Sequence, residues 1–276
     1  MSGFLPARRR LLKAAAALAA AGALPAARAE AWKFVANTEG GYRFIPGNPV
    51  FANGAIADAG HGFVHALLRE WLPLEAGYAA IEHHLAAEKL PMRALAGIEL
   101  RLPKQLSVDE FAEFNRPYLE RLKAWGLLID GLNPISRTNV APSIDAPAEP
   151  ALCAFSYCSP ATGVRRSFVM SGITEGGAAI VAQGDTSAEG MKRKLAYVVG
   201  LAGKRLEDLG AGWSDVTHVE LYTAFDFGES PLRVLQPLGA AVQRRGVRWH
   251  PGRPPVAGLE LEFEVRGLAR EIVIGG

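Results

Sequence analysis

Ala96-Gly97-Ile98-Glu99-Leu100-Arg101-Leu102 and Thr217-His218-Val219-Glu220-Leu221-Tyr222-Thr223 share an apolar residue, a glutamate and a leucine at their centres. Apolar and polar side chains alternate along both, which sends successive residues to opposite faces and predicts two strands. The same order of elements surrounds each strand, so the chain reads as a diverged repeat.

Upstream, Asn48-Pro49-Val50-Phe51-Ala52-Asn53-Gly54-Ala55 predicts a strand ending in Asn53-Gly54, and Ser167-Phe168-Val169-Met170-Ser171-Gly172-Ile173 one ending in Ser171-Gly172. Each leads to a long helix. The first is expected over 74–89, stopped by Pro91; the second over 188–209, with Met191, Leu195, Val198, Leu201, Ala202 and Leu206 on one face and Gly210 closing it. Downstream of the quoted strands, second helices are expected over 108–125, with Ser107 as N-cap, and over 231–244, with Ser230 before Pro231 at the first helical position. Closing strands are expected over 150–156 and 258–265. The pattern is β-β-α-β-α-β-β twice, an α+β arrangement with a seam near 159–164 and domains over 30–158 and 159–276.

The first 29 residues carry Arg8-Arg9-Arg10-Leu11-Leu12-Lys13, an alanine- and leucine-rich run to Leu24, and Ala27-Arg28-Ala29. That order is a twin-arginine export signal with a small-x-small cleavage site, so a periplasmic protein beginning at Glu30 is expected. Five of the 30 basic residues and none of the 28 acidic ones fall in this leader, leaving 25 against 28 in the 247 residues beyond it. A slightly acidic chain without a Lys/Arg block offers nucleic acid no electrostatic footprint, and nothing after the leader reads as membrane-spanning. Cys153 and Cys158 would lie roughly 16 Å apart along a strand, too far for a disulfide, and two free thiols make a poor zinc set. His61-x-x-x-His65 lacks a third ligand nearby. No metal or cofactor is expected.

Taken as an ordered set, Ser171-Gly172, Ser214-Asp215-Val216 running into the second quoted strand, Leu259-Glu260-Leu261-Glu262, Phe114-Asn115-Arg116-Pro117-Tyr118 and Ser136-Arg137-Thr138-Asn139-Val140 resemble the RidA/YjgF family of enamine and imine deaminases. The resemblance covers most of the chain beyond the leader. It implies two tandem RidA-like (chorismate-mutase-like) domains, a homotrimer with clefts between neighbouring domains, and a small carboxylate-bearing substrate. The implied reaction is hydrolysis of reactive 2-imino or enamine acids to 2-keto acids and ammonia. Chorismatases are similar to two such domains in one chain.

Such chemistry needs an arginine fork for the carboxylate, a group that holds water at the imine carbon, and a proton donor for departing ammonia. The resemblance assigns Arg137 to the fork, with Asn115 and Tyr118, one helical turn apart, lining the same cleft. It assigns Glu260 to the water; alternation puts Glu260 on the same face as Glu262 and Glu264. Ser171 would offer its hydroxyl, or Gly172 its backbone N–H, to the ligand, and Arg248 is one of three second-half arginines, with Arg245 and Arg253, that could face a cleft. Neither half is complete. The first has Cys153 where the acid would stand and Asn53 where the family has serine; the second has no Asn-x-x-Tyr. Three outcomes stay open: one cleft built by both halves, one half a degenerate scaffold, or a different ligand. With them stay three functions: a deaminase, a non-catalytic small-carboxylate binding protein, and a chorismatase-like hydrolase.

Overall fold

The computed structural model describes residues 33–228 and 235–275. The expected leader, residues 1–29, and the Ser230–Pro231 helix start lie outside the described residues.

The quoted strands, β5 (Leu95–Arg101) and β10 (His218–Thr223), are the middles of two sheets. Around β5 the order is β12 (Gly252–Arg253), β6 (Ser136–Pro142), β5, β7 (Ala151–Pro160), β4 (His61–Pro73), β14 (Arg270–Ile274). Around β10 it is β11 (Arg248–His250), β10, β13 (Leu261–Arg266), β9 (Ile173–Thr174). The run β11-β10-β13-β9 repeats β6-β5-β7-β4 in order and in direction: the first pair is parallel and the next two antiparallel in both. A third sheet joins β1 (Val35–Asn37), β2 (Tyr42–Ile45), β3 (Gly54–Ala57) and β8 (Phe168–Met170).

Helices cover one face of each main sheet. Beneath α1 (Leu74–Ala87) and α2 (Val108–Ala124), Tyr78, Ile81, Leu85, Tyr118 and Leu122 pack on Ile98, Leu100, Leu152 and Phe155. Beneath α3 (Ala188–Asp208), Met191, Leu195, Val198, Ala202 and Leu206 pack on Val219, Leu221, Leu261, Phe263 and Val265. Local sequence sets the starts of two of these helices. The Ser107 hydroxyl accepts from the Glu110 N–H at 3.1 Å while the Ser107 N–H donates to the Glu110 carboxylate at 2.6 Å, and the Ser187 hydroxyl accepts from the Gly190 N–H at 3.2 Å.

The opposite faces of the two sheets meet through polar groups, so the layers run helix, sheet, sheet, helix. Alternation delivers Glu99 and Arg101 from β5, His65 from β4, Thr138 from β6, Glu220 from β10, and Glu262, Glu264 and Arg266 from β13, all buried. Three features differ from the sequence expectation. Helix 231–244 is not continuous: Gly239, at φ 49°, separates a 3-10 turn (Gln236–Leu238) from the short α4 (Ala240–Arg245). Strand β7 runs beyond the expected 150–156 into the seam region, with Ser159 and Pro160 still paired to Gly62 and His61. The halves also interlock, since β8 pairs with β3, β12 with β6 and β14 with β4.

Candidate active site

Where the halves meet, a cavity of about 290 Å³ opens between the 48–51 segment, α2 and β6 on one side and the 172–176 segment, α3 and β13 on the other. Arg137, Asn115 and Asn139 come from the first half; Gly172, Arg205 and Glu262 come from the second. The strand end Ser171-Gly172 locks the two together. The Arg137 N–H donates to the Ser171 hydroxyl at 2.9 Å, that hydroxyl donates to the Ala52 carbonyl at 2.6 Å, and the Gly172 N–H donates to the Arg137 carbonyl at 3.1 Å.

The Arg137 guanidinium is 5% exposed and lies over the Tyr118 ring, 4.0 Å from its centre. Nη1 donates to Asn115 Oδ1 at 2.5 Å; the Asn115 amide in turn donates to the Phe111 carbonyl at 2.8 Å, which fixes its oxygen toward the arginine. With the Asn139 amide turned so that both its ends are satisfied, Asn139 Oδ1 accepts from Nη2 at 2.8 Å. Nε has no partner, and no carboxylate of the described residues comes within ion-pair distance of this cation. Burial pulls its pKa down, opposed by Tyr118 and Tyr78. An arginine stays charged even so, and an uncompensated buried charge costs several kcal/mol, roughly, that an anionic ligand can return.

Glu262 faces this cavity from β13. Its carboxyl approaches Gly172 so closely that a Cβ there would stand 1.8 Å from Oε1, so the Ser-Gly strand end needs glycine for space. Oε2 is buried without a partner. Burial raises the Glu262 pKa well above the ordinary carboxylate range, Glu264 adds to the rise, and Arg101 opposes it. Burial thus favours the protonated form of Glu262, the form that can donate a proton. Arg205, on α3 one turn after the cavity-lining Leu201, donates through Nη1 to the Ser171 carbonyl at 3.0 Å. Burial lowers its pKa to about 10, against the pull of Asp208.

Behind Glu262 lies a second, saturated cluster. Arg266 Nε donates to Glu264 at 2.5 Å, Nη2 donates to Glu264 at 2.8 Å and to Glu99, and Nη1 meets His65 Nε2 at 3.1 Å. The Thr138 hydroxyl donates to Glu264 at 2.7 Å. Burial would push Glu99 up, but Arg266 and its neighbours hold it down to about 2; burial and Arg266 together depress His65 to about 3, leaving it neutral. Among the described residues no group of three or more His, Cys, Asp or Glu side chains is arranged to hold a metal ion.

Not every residue singled out in the sequence reaches the cavity. Arg137, Asn115 and Gly172 line it, but the Gly172 N–H is already taken by Arg137. Ser171 has its hydroxyl engaged by protein on both sides and positions the strand end. Tyr118 lies beneath Arg137, its hydroxyl buried and unpartnered. Glu260 sits just before β13, its N–H donating to Glu175 at 2.6 Å and its carboxylate 3.6 Å from Arg253; the wall position belongs to Glu262, two residues on and on the same strand face. Arg248 is directed away, held by two 2.6 Å hydrogen bonds to Glu271. Arg205 was missed. Its only local signal is the four-residue spacing from Leu201, which puts both on one helix face.

A small, largely apolar cavity lined by a buried cation without an ion pair and by a carboxyl whose pKa burial raises is the outline of a site for small organic anions. The comparisons are more specific. The model of the 2-aminomuconate deaminase CnbZ family matches residues 34–272, and the chain belongs to that family. It is 38% identical over 249 aligned positions to the 2-amino-5-chloromuconate deaminase of Comamonas testosteroni, spanning 85% of this chain and 96% of that protein. Among solved structures, a chorismatase is 13% identical with a TM-score of 0.45, over 82% of this chain and 77% of that one, a level at which neither activity nor topology transfers. Family membership makes the chain a deaminase, an enzyme acting on C–N bonds.

Proposed function

We propose that this deaminase replaces the amino group of an unsaturated 2-amino acid of the aminomuconate type with oxygen from water, at the cavity shared by the two halves. The observation that carries the reading is one cavity lined from its two sides by Arg137, a buried cation without a counter-ion among the described residues, and by Glu262, a buried carboxyl whose pKa burial raises. The substrate's C1 carboxylate completes Arg137 through Nε and the adjacent N–H groups, the bidentate geometry a guanidinium offers. C2 is then carried beside Glu262.

Glu262 delivers its proton to the enamine carbon as the nitrogen lone pair moves in, forming the C2 iminium. The resulting carboxylate takes a proton from water as the oxygen bonds to C2, giving a carbinolamine. Glu262 passes that proton to the amino nitrogen, the C–N bond breaks, and the carboxylate recovers the hydroxyl proton. The products are a 2-keto acid and ammonia, with Glu262 again protonated. One group serves as acid and base in turn, suited by a pKa lifted toward the working pH.

Ammonia release from freshly generated 2-aminomuconate tests this. Arg137→Ala should lower kcat/KM at least about tenfold, with Arg137→Lys recovering part of it, since the charge returns without the fork. Full activity in Arg137→Ala contradicts the assignment.

The repeated strand order supports reading the two halves as a fused pair of RidA-like units, with the cleft between them. By the same likeness the chain assembles as a homotrimer, which light scattering of the purified protein checks. The order of elements in residues 1–29 supports export by the twin-arginine route, and N-terminal sequencing of periplasmic material should begin at Glu30.

A further inference from the structure

We infer that Arg205 anchors the second carboxylate of a dicarboxylic substrate and so sets the enzyme's preference for dianions over monoanions of the same length. The inference rests on the deaminase site proposed above, and it adds a residue and a selectivity to it.

The cavity wall carries two cationic side chains from different elements, Arg137 on β6 and Arg205 on α3. Among the described residues its one carboxyl is Glu262, which forms an ion pair with neither arginine and whose charged form is disfavoured by burial. Arg205 keeps its proton at neutral pH even with its pKa lowered to about 10. Among the described residues its hydrogen bond goes to a neutral carbonyl, that of Ser171, and Asp208 acts on it as a nearby charge, which leaves donors of its planar fork for an anion. Much of the remaining wall is apolar: Val50, Phe51, Phe111, Ile173, Leu201 and Leu259. Two cationic side chains in an otherwise largely apolar lining match a flat, unsaturated chain that carries two carboxylates. A monocarboxylate would satisfy Arg137 and lay an apolar terminus against Arg205.

The discriminating pair is trans,trans-muconate and sorbate, which share a six-carbon diene and differ in one terminus, carboxylate against methyl. Their binding to the full chain is measured by calorimetry. Wild type should prefer muconate by about 10- to 100-fold, the worth of one charge-assisted pair. Arg205→Gln should bring the two within about twofold by weakening muconate alone, Arg205→Lys should fall between, and Arg137→Gln should weaken both ligands. A merely structural clamp on Ser171 would make Arg205→Gln and Arg205→Lys lose both ligands equally, and that result overturns the proposal. So does a wild type that binds the two equally or binds neither. Because neither probe is turned over, an enzyme that releases no ammonia yet keeps the preference would sink the proposed reaction and leave the dianion site standing.

Discussion

Arg137 and Arg266 are both buried, at 5% and 2% exposure, but Arg266 faces the polar seam between the sheets, whereas Arg137, paired with Ile98, is turned to the helix-covered face of its strand, over Tyr118. Arg266 is surrounded by Glu264, Glu99 and His65, with Glu220 at 3.8 Å, and its pKa rises well above the ordinary value because those charges outweigh burial. Arg137 meets two amides and an aromatic face, and its pKa falls. A cation given counter-charges holds the sheets together. A cation given only neutral partners is stabilised when a ligand brings the charge, so the difference separates a structural arginine from a binding one without reference to sequence.

The largest expected effect comes from exchanging the two losses. Arg266→Met strips the compensation from Glu264 and Glu99 and should cost about 3–5 kcal/mol in denaturant unfolding. Arg137→Met should change stability by no more than about 1 kcal/mol while removing activity. Equal destabilisation by both would erase the distinction.

Glu262→Gln comes next. Loss of the acid should lower kcat by about 10²-fold or more. Because the folded-state pKa of Glu262 is raised, its stabilising contribution is fully present below the ordinary carboxylate pKa and is lost as pH rises toward the raised value. The glutamine variant lacks that loss, so its Tm should exceed the wild type at pH 8, with the gap closing below about pH 4. Wild-type activity should correspondingly extend to higher pH than an ordinary carboxylic acid would allow; a maximum near pH 4 would mean an ordinary carboxylate.

Gly172→Ala should lower activity at least about tenfold, since the added methyl must displace the Glu262 carboxyl or the strand end, at a stability cost of about 1–3 kcal/mol. The smallest effect belongs to Arg248→Gln. Its side chain is 45% exposed and its partner Glu271 lies outside the cavity wall, so stability should move by about 1 kcal/mol or less and kcat/KM by less than twofold.

Period-two alternation made the paired strands around Ile98-Glu99 and Val219-Glu220 legible, and the Ser107 cap the helix that follows the first of them, because each is a local pattern; the break at Gly239 in the helix expected after the second was not. Alternation also put Glu260, Glu262 and Glu264 on one face. It could not tell which of them meets a cavity, because that step is set by the pairing of Glu262 with Thr174 and Phe263 with Ile173, partners almost ninety residues away. The short motifs led to Arg137, Asn115 and Gly172, which line one cavity from its two sides. Arg205 stayed hidden because, between Lys204 and Glu207, it reads as a solvated helix charge. Nor does any local pattern announce that β12 and β14 leave their own half to extend the other sheet.

The composite cavity is tested most directly by a crystal structure of the protein with muconate bound. One carboxylate should lie on Arg137 through Nε, with the Glu262 carboxyl within hydrogen-bond reach of the adjoining carbons. Muconate seated at Arg248, or Arg137 still without an anion when the ligand is ordered elsewhere, would contradict it.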